Sequence, residues 1–108
     1  MDGYEVESSG ARASVVMEGD LKASLVPAMH KALKQKVKEG VSEIVFDFSK
    51  TAALDPSGIG LLIAASNSME LKGGKMAIVN ASTGILGLLK TMRLVKRLGV
   101  NGGTQVSV

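Results

Sequence analysis

The sequence predicts a single α/β domain, in which a mixed sheet of four to five strands is covered mainly on one face by three or four helices. Two observations predict this class: strand and helix patterns alternate after an initial pair of strands, and no linker, repeat or low-complexity tract divides the chain. A chain of 108 residues that is 45% hydrophobic can also bury roughly 65% of its unfolded surface without disulfide bonds. We therefore expect residues 1–108 to form one domain.

The first predicted elements are a pair of strands and a helix. Residues 4–8 and 13–18 flank a connection that contains Gly10, which indicates a hairpin. Ser24 is a suitable N-cap for a helix that runs to about residue 39, where Gly40 is expected to end it.

The third strand and second helix form the clearest part of the pattern. In residues 43–48, large apolar side chains alternate with other residues, as in a central strand. The carboxylate of Asp55 suits the N-cap of the next helix, where it would accept from the first free N–H groups, and Pro56 suits the first helical position. This helix is expected over residues 56–71. Its predicted core stripe consists of Ile59, Leu62, Ile63, Ser66 and Met69.

Four further segments complete the prediction. Residues 75–79 are expected to form a strand and residues 83–90 a helix capped by Ser82. Residues 94–98 are expected to add a turn of helix, and residues 104–108 a final edge strand.

A rim of polar residues follows from this order of elements. Parallel strands joined by right-handed crossovers place the loops that follow them at one edge of the sheet, where open α/β sheets hold their sites. We therefore expect one rim to carry Asp20, Asp55, Ser57, Asn80 and Ser82.

The start of the second helix is the main candidate site. Ser57 falls in its first turn, where free amides and the helix dipole favour a negative group such as a phosphate. Gly58 leaves the neighbouring backbone bare, and small residues allow another surface to approach closely. The side of the helix expected to dock a partner comprises Ser57, Gly60, Leu61, Ala64 and Ser68.

Several function classes lack the residues they need. The chain has no Cys and one His, so neither a disulfide nor a metal or other cofactor is expected. The net charge is +3, but one Tyr, two Phe and no Trp provide few stacking groups, so we expect no direct nucleic-acid binding. The longest apolar run, residues 61–65, is too short to span a bilayer. We expect a cytoplasmic protein without membrane insertion.

An enzyme is also disfavoured. Ser57 lacks the Gly-x-Ser-x-Gly context of a nucleophile elbow, and the only histidine, His30, is placed on the first helix. Gly58 and Gly60 begin like a dinucleotide fingerprint, but Ile63 occupies the third glycine position. No catalytic residue is therefore assigned, and nucleotide or small-ligand binding at the rim rests on the two glycines alone.

Four segments together resemble the STAS domain family of bacterial anti-sigma-factor antagonists, which has relatives in sulfate transporters and stressosome proteins. The resemblance runs from about residue 13 to residue 99, and its most specific part lies between Asp47 and Asp55. The segments are Gly19-Asp20-Leu21, Phe46-Asp47-Phe48-Ser49, residues 54–62 and Ile78-Val79-Asn80-Ala81-Ser82.

The resemblance implies a phosphorylation switch. In antagonists of this family, the serine before the glycine of an Asp-Ser-Ser-Gly or Asp-Thr-Ser-Gly motif is phosphorylated by the anti-sigma factor itself, and this position corresponds to Ser57. Pro56 replaces the usual Ser or Thr, Lys22 a common Asp, and Leu25 a common capping Thr. The implied partners are an anti-sigma factor with serine kinase activity and a phosphatase. The implied binding residues are Asp20, Asp55, Gly58, Gly60, Leu61 and Ala64.

A second function remains open beside the antagonist. STAS modules also serve as structural subunits of lipid-transport or other membrane-transport assemblies, in which they clamp an ATPase without a phosphorylation cycle. Such a subunit needs no phosphoacceptor at Ser57.

Overall fold

A computed structural model describes residues 3–100 and shows alternating strands and helices. The predicted strand at residues 104–108 lies outside this range. The elements are β1 (Tyr4–Ser9), β2 (Arg12–Met17), a 3₁₀ helix (Ala23–Leu25), α1 (Val26–Lys38), β3 (Glu43–Asp47), α2 (Pro56–Leu71), β4 (Lys75–Val79) and α3 (Thr83–Thr91).

The four strands form one mixed sheet in the order β1-β2-β3-β4. The β1–β2 hairpin is antiparallel, whereas β2, β3 and β4 are parallel. Val15 is paired with Phe46, and Phe46 with Ile78, so the three parallel strands align their apolar side chains in one row. The predicted mixed α/β sheet is confirmed.

The core lies on one face of this sheet. Side chains on that face are buried, including Val15, Phe46 and Ile78, which are fully shielded from solvent. On the other face Val45 and Asp47 remain partly exposed. The period-2 alternation in the strands therefore reflects a sheet whose helices cover mainly one side, as expected.

The start of α1 differs from the prediction. Ser24 does not cap the helix; it lies inside the 3₁₀ turn, and neither helix start there has a side-chain cap. The N–H of Ala23, at the start of the 3₁₀ turn, instead donates to Asp55 Oδ2 at 2.8 Å. The cap is thus supplied from a loop distant in sequence, which local patterns do not reveal. The end of α1 agrees with the prediction, because Gly40 follows it with φ of 101°.

Helix α2 begins at Pro56, as expected, but buries a wider arc than its predicted stripe. Leu61, assigned to the small outer side, is only 4% exposed, and Gly58 is also buried. Ile63 is only half-buried. The helix packs against both the sheet and α1, so it buries more than one stripe.

Where a further turn of helix was predicted, the chain after α3 makes hydrogen-bonded turns without a regular helix, and it then pairs with β4. Residues 94–98 form hydrogen-bonded turns, including Leu98 N–H to Leu94 O at 2.9 Å. The hydroxyl of Ser66 in α2 donates to Arg97 O at 3.0 Å, and Ile78 N–H donates to Gly99 O at 2.9 Å. These contacts fix the segment against both α2 and the outer edge of β4.

Among residues 3–100, no helix has the length and apolar character needed to cross a membrane.

Two glycines in the first turns of α2 should respond oppositely to alanine. A Cβ at Gly58 would lie 2.7 Å from Leu21 Cγ and 3.2 Å from Leu21 O, whereas a Cβ at Gly60 meets nothing within 4 Å. We expect Gly58→Ala to lower the free energy of unfolding by about 1–3 kcal/mol. Gly60→Ala should raise it by about 0.5–1 kcal/mol, because it restricts the unfolded chain. Urea titrations of both variants measure the difference, and a stable Gly58→Ala protein would contradict the close approach of Leu21.

Candidate functional site

The candidate site is built from two loops at the carboxyl edge of the sheet, residues 18–23 after β2, which end at the first residue of the 3₁₀ helix, and residues 48–55 after β3. They are joined by a parallel bridge between Leu21 and Leu54. Leu21 N–H donates to Ala53 O at 3.2 Å, and Asp55 N–H donates to Leu21 O at 2.9 Å. The parallel pairing of β2 and β3 therefore continues by one bridge beyond the ends of the strands, and this bridge holds the two loops side by side.

Two carboxylates complete this connection by crossing between the loops. Asp20 Oδ1 accepts from the N–H groups of Ala52 at 2.9 Å and Ala53 at 3.1 Å. Asp55 Oδ2 accepts from Ala23 N–H at 2.8 Å. Each loop thus satisfies backbone donors of the other. We call this reciprocal arrangement the Asp20–Asp55 exchange.

The Asp20–Asp55 exchange corrects the predicted role of Asp55 as a local cap. Asp55 does occupy the N-cap position of α2, with extended backbone angles, but its side chain makes no capping bond to that helix. Buried Thr51 gives the same loop a further anchor, because its hydroxyl donates to Gly19 O at 2.8 Å. No local pattern pointed to Thr51, because its partner lies 32 positions away.

Ser57 is exposed at the second position of α2. Among the described residues, 3–100, its hydroxyl has no hydrogen-bonding partner. No side chain within this described range caps α2, so the positive end of the helix is open to solvent or to a group attached at this serine. The site therefore offers an accessible hydroxyl on a helix start that is rigidly placed by the Asp20–Asp55 exchange.

The remaining rim residues form a separate pair of contacts. Asn80 adopts φ of 61° after β4, and its Nδ2 donates to Asp47 Oδ1 at 3.1 Å. Ser82 caps α3 as predicted, accepting from Ile85 N–H at 3.2 Å. The structure thus links Asn80 to Asp47, which the prediction had not included among the rim residues.

The ionisation of Asp47 is perturbed by these contacts. Partial burial acts to raise its pKa, but the N–H of Ser49, at 2.9 Å from Oδ1, and the Asn80 amide favour the carboxylate more strongly. The net result is a pKa below the usual value of 3.8.

The predicted docking side of α2 is only partly exposed. Gly60, Ala64 and Ser68 are accessible, whereas Gly58 and Leu61 are buried within the domain. Gly58 allows α2 to approach Leu21, so its absent side chain serves internal packing. The exposed surface is therefore the first turn of α2 and the outward positions that follow it.

Within residues 3–100, no group of three or more His, Asp or Glu side chains is placed to hold a metal ion.

Loss of the Asp20 carboxylate should loosen the rim. We expect Asp20→Ala to lower the free energy of unfolding by about 1–3 kcal/mol, because two loop N–H groups lose a charged acceptor. Asp20→Asn keeps an acceptor oxygen, so its free energy of unfolding should fall by less. Hydrogen exchange at Ala52 and Ala53 measures the local effect. Equal exchange rates in wild type and Asp20→Ala would contradict the arrangement.

The lowered pKa of Asp47 predicts a pH dependence of stability. Ionised Asp47 stabilises the folded state above the usual pKa of 3.8, and this contribution is lost as pH falls through the lower folded-state pKa. Wild type should therefore be more stable than Asp47→Asn at pH about 6, and the difference should shrink below pH about 4. Chemical denaturation across this pH range provides the test, and a pH-independent difference would contradict it.

The comparisons with known proteins agree with this geometry. Residues 4–102 match the family model described as "Mlab, STAS domain". No curated protein sequence gives a match. The anti-sigma factor antagonist SpoIIAA in its unphosphorylated form has a TM-score of 0.83 at 17% identity, over 96% of this chain and 90% of that one. The phosphorylated form of the Bacillus protein has a TM-score of 0.78 at 17% identity, over 96% and 94% of the two chains.

Two further structures extend the range of relatives. A putative anti-sigma factor antagonist from Thermotoga maritima has a TM-score of 0.82 at 14% identity, over 90% of this chain and 84% of that one. The murine anion transporter Slc26a9 has a TM-score of 0.68 at 16% identity, over 87% of this chain and 16% of the transporter. At these identities the likeness establishes a common fold. Because the family model covers nearly the whole chain, this protein belongs to the STAS domain family.

Proposed function

We propose that this domain is a phosphorylation-switched binding module of the anti-sigma-factor antagonist type. Unmodified, it binds an anti-sigma factor that is also a serine kinase; phosphorylation of Ser57 releases that partner, and a phosphatase restores the unmodified state. The observation that carries the proposal is the exposed Ser57 hydroxyl at the start of α2, which has no hydrogen-bonding partner in the part of the chain that the structure describes. Its place in a fold shared with SpoIIAA, a protein with a phosphorylated form, supports the same role.

A phosphate on Ser57 would be tolerated in the free domain but would oppose binding of the partner, because its electrostatic surroundings differ in the two states. In the free domain a phosphate on Ser57 would meet the uncapped, positive end of α2 and water. In an interface it would lose water close to the carboxylate of Asp55. A penalty of about 4 kcal/mol corresponds to roughly a thousandfold weaker binding, which is sufficient for release.

The proposed contact surface combines the rim and the exposed side of α2. Ser57, Gly60 and Ala64 would touch the partner directly. Asp20 and Asp55 would act mainly by holding the loops, since each carboxylate already accepts bonds from the neighbouring loop. Gly58 and Leu61 would support the surface from within. No step of this function requires catalysis by the domain itself.

A second candidate is a structural STAS subunit of a membrane-transport ATPase assembly. It is supported by the description of the matching family model, "Mlab, STAS domain", and by the same fold within the anion transporter Slc26a9. In this role the same exposed surface would clamp an ATPase, and Ser57 would remain unmodified.

Substitutions at Ser57 separate the two functions. The partner is first isolated from the native host with the wild-type domain, and the mass of the Ser57 peptide is read in growing and stressed cells. Calorimetry with that partner should then show binding to Ser57→Ala like that of unmodified wild type, and binding to Ser57→Asp weaker by at least about tenfold, or 1.4 kcal/mol. Ser42→Asp, at the opposite edge of the sheet, controls for added charge.

The outcomes are distinct. A condition-dependent phosphate on Ser57, with a kinase-like partner that rejects Ser57→Asp, supports the antagonist. Equal affinities of Ser57→Ala and Ser57→Asp would overturn the switch. An unmodified Ser57 together with a stable ATPase partner would favour the transport subunit.

A further inference from the structure

The helices α1 and α2 enclose an apolar groove, of which the predicted docking side included only residues of α2. Its volume is about 240 Å³, and it opens on the helical side of the domain. The floor consists of aliphatic and Met side chains from α1, β3 and α2, namely Leu33, Val37, Ile44, Leu61, Ala65 and Met69.

The two walls of the groove differ in chemistry. The α2 wall is formed by Ala64 and Ser68, which are short and leave the groove wide. The α1 wall carries His30, Lys34 and Lys38. These three residues recur at four-residue intervals, so they form a row about 12 Å long at 1.5 Å rise per residue. No acidic side chain lines the groove among the residues that the structure describes.

We propose that this groove binds an acidic amphipathic helix of a protein partner. The floor would take apolar side chains: 240 Å³ holds roughly eight water-sized groups, which is the space of two leucine side chains. Carboxylates along one edge of the helix would meet His30, Lys34 and Lys38, because side chains four residues apart share a helix edge.

Other occupants fit these features less well. A single-headed amphiphile needs one cation at the mouth and leaves the rest of the row unpaired. A second copy related by a two-fold axis would bring its own Lys34 and Lys38 toward the same row, and like charges would oppose the contact. The acidic helix alone uses the apolar floor and the full row.

The groove continues the surface of the proposed binding module. Its α2 wall includes Ala64, which follows Ser57 and Gly60 on the exposed side of the helix. The inference thus rests on the domain being a protein-binding module, but not on phosphorylation of Ser57. It adds that one segment of the partner is an acidic amphipathic helix.

A pair of synthetic helices tests the proposal on the full-length chain. Both have about 18 residues, or five helical turns, and share the same leucine stripe; one carries Glu and the other Lys along the stripe's edge. Fluorescence anisotropy should give the Glu peptide a Kd at least tenfold lower. Amide shifts in NMR spectra should map its binding to α1 and α2 around the groove.

Charge reversals provide the matched controls. The double variant Lys34→Glu/Lys38→Glu should raise the Kd of the Glu peptide at least tenfold and should bind the Lys peptide more tightly. Lys31→Glu/Lys50→Glu makes the same change of charge at exposed positions outside the groove and should have little effect. Ala64→Trp, which fills the groove, should abolish binding while the thermal melt shows a folded domain. Peptide binding is measured on the unmodified domain, and Ser57 does not line the groove, so failure of the phosphorylation switch would not imitate failure of the groove.

Several results would overturn the proposal. These are equal affinity for the two peptides, equal effects of the two double variants, or amide shifts centred outside the groove. Decanoate binding in the groove in place of the Glu peptide would assign it to an amphiphile. A dimer in sedimentation that Ala64→Trp dissociates would assign it to a second copy.

Discussion

The Asp20–Asp55 exchange is the interaction on which the candidate site depends. Two loops that follow different strands each supply a carboxylate to backbone donors of the other loop. Charged acceptors make such bonds stronger than neutral ones, and several bonds in one small region restrict the loops together. The start of α2, and with it Ser57, is therefore fixed by the neighbouring strand connection as well as by its own helix.

Around this fixed point, the domain separates two kinds of surface. The rim combines carboxylates, an exposed hydroxyl and an uncapped helix start, so one added negative charge there would strongly change the local electrostatics. The groove between α1 and α2 combines an apolar floor with a row of one histidine and two lysines. Both surfaces include α2. A partner that spans them would combine a charge-sensitive contact with a more permanent apolar one.

The fold could be predicted from the sequence because its strands and helices are marked by patterns of neighbouring residues. The alternation of the large side chains Ile44 and Phe46 in β3, Pro56 at the first position of α2 and Ser82 before α3 each report on nearby backbone. All three elements form as expected. The side-chain roles at the rim were not accessible in this way. Judged from its neighbours in sequence, Asp55 is a suitable N-cap. In the structure its Oδ2 instead accepts from the N–H of Ala23, 32 positions earlier. The α1 wall of the groove was missed for the same reason, because Lys34 and Lys38 have the pattern of a solvated helix face until α2 is packed beside them.

The donors in the Asp20–Asp55 exchange are the backbone N–H groups of Ala23, Ala52 and Ala53, and the side chains of all three alanines are exposed. A main-chain donor is present in every residue except proline. The outer surface of the rim can therefore change its side chains, and with them its recognition of a partner, while the bonds that position Ser57 stay in place. During evolution, the side chains that recognise a partner can therefore change separately from the hydrogen bonds that position the site. Related domains can bind different partners while the conformation of the two loops stays the same.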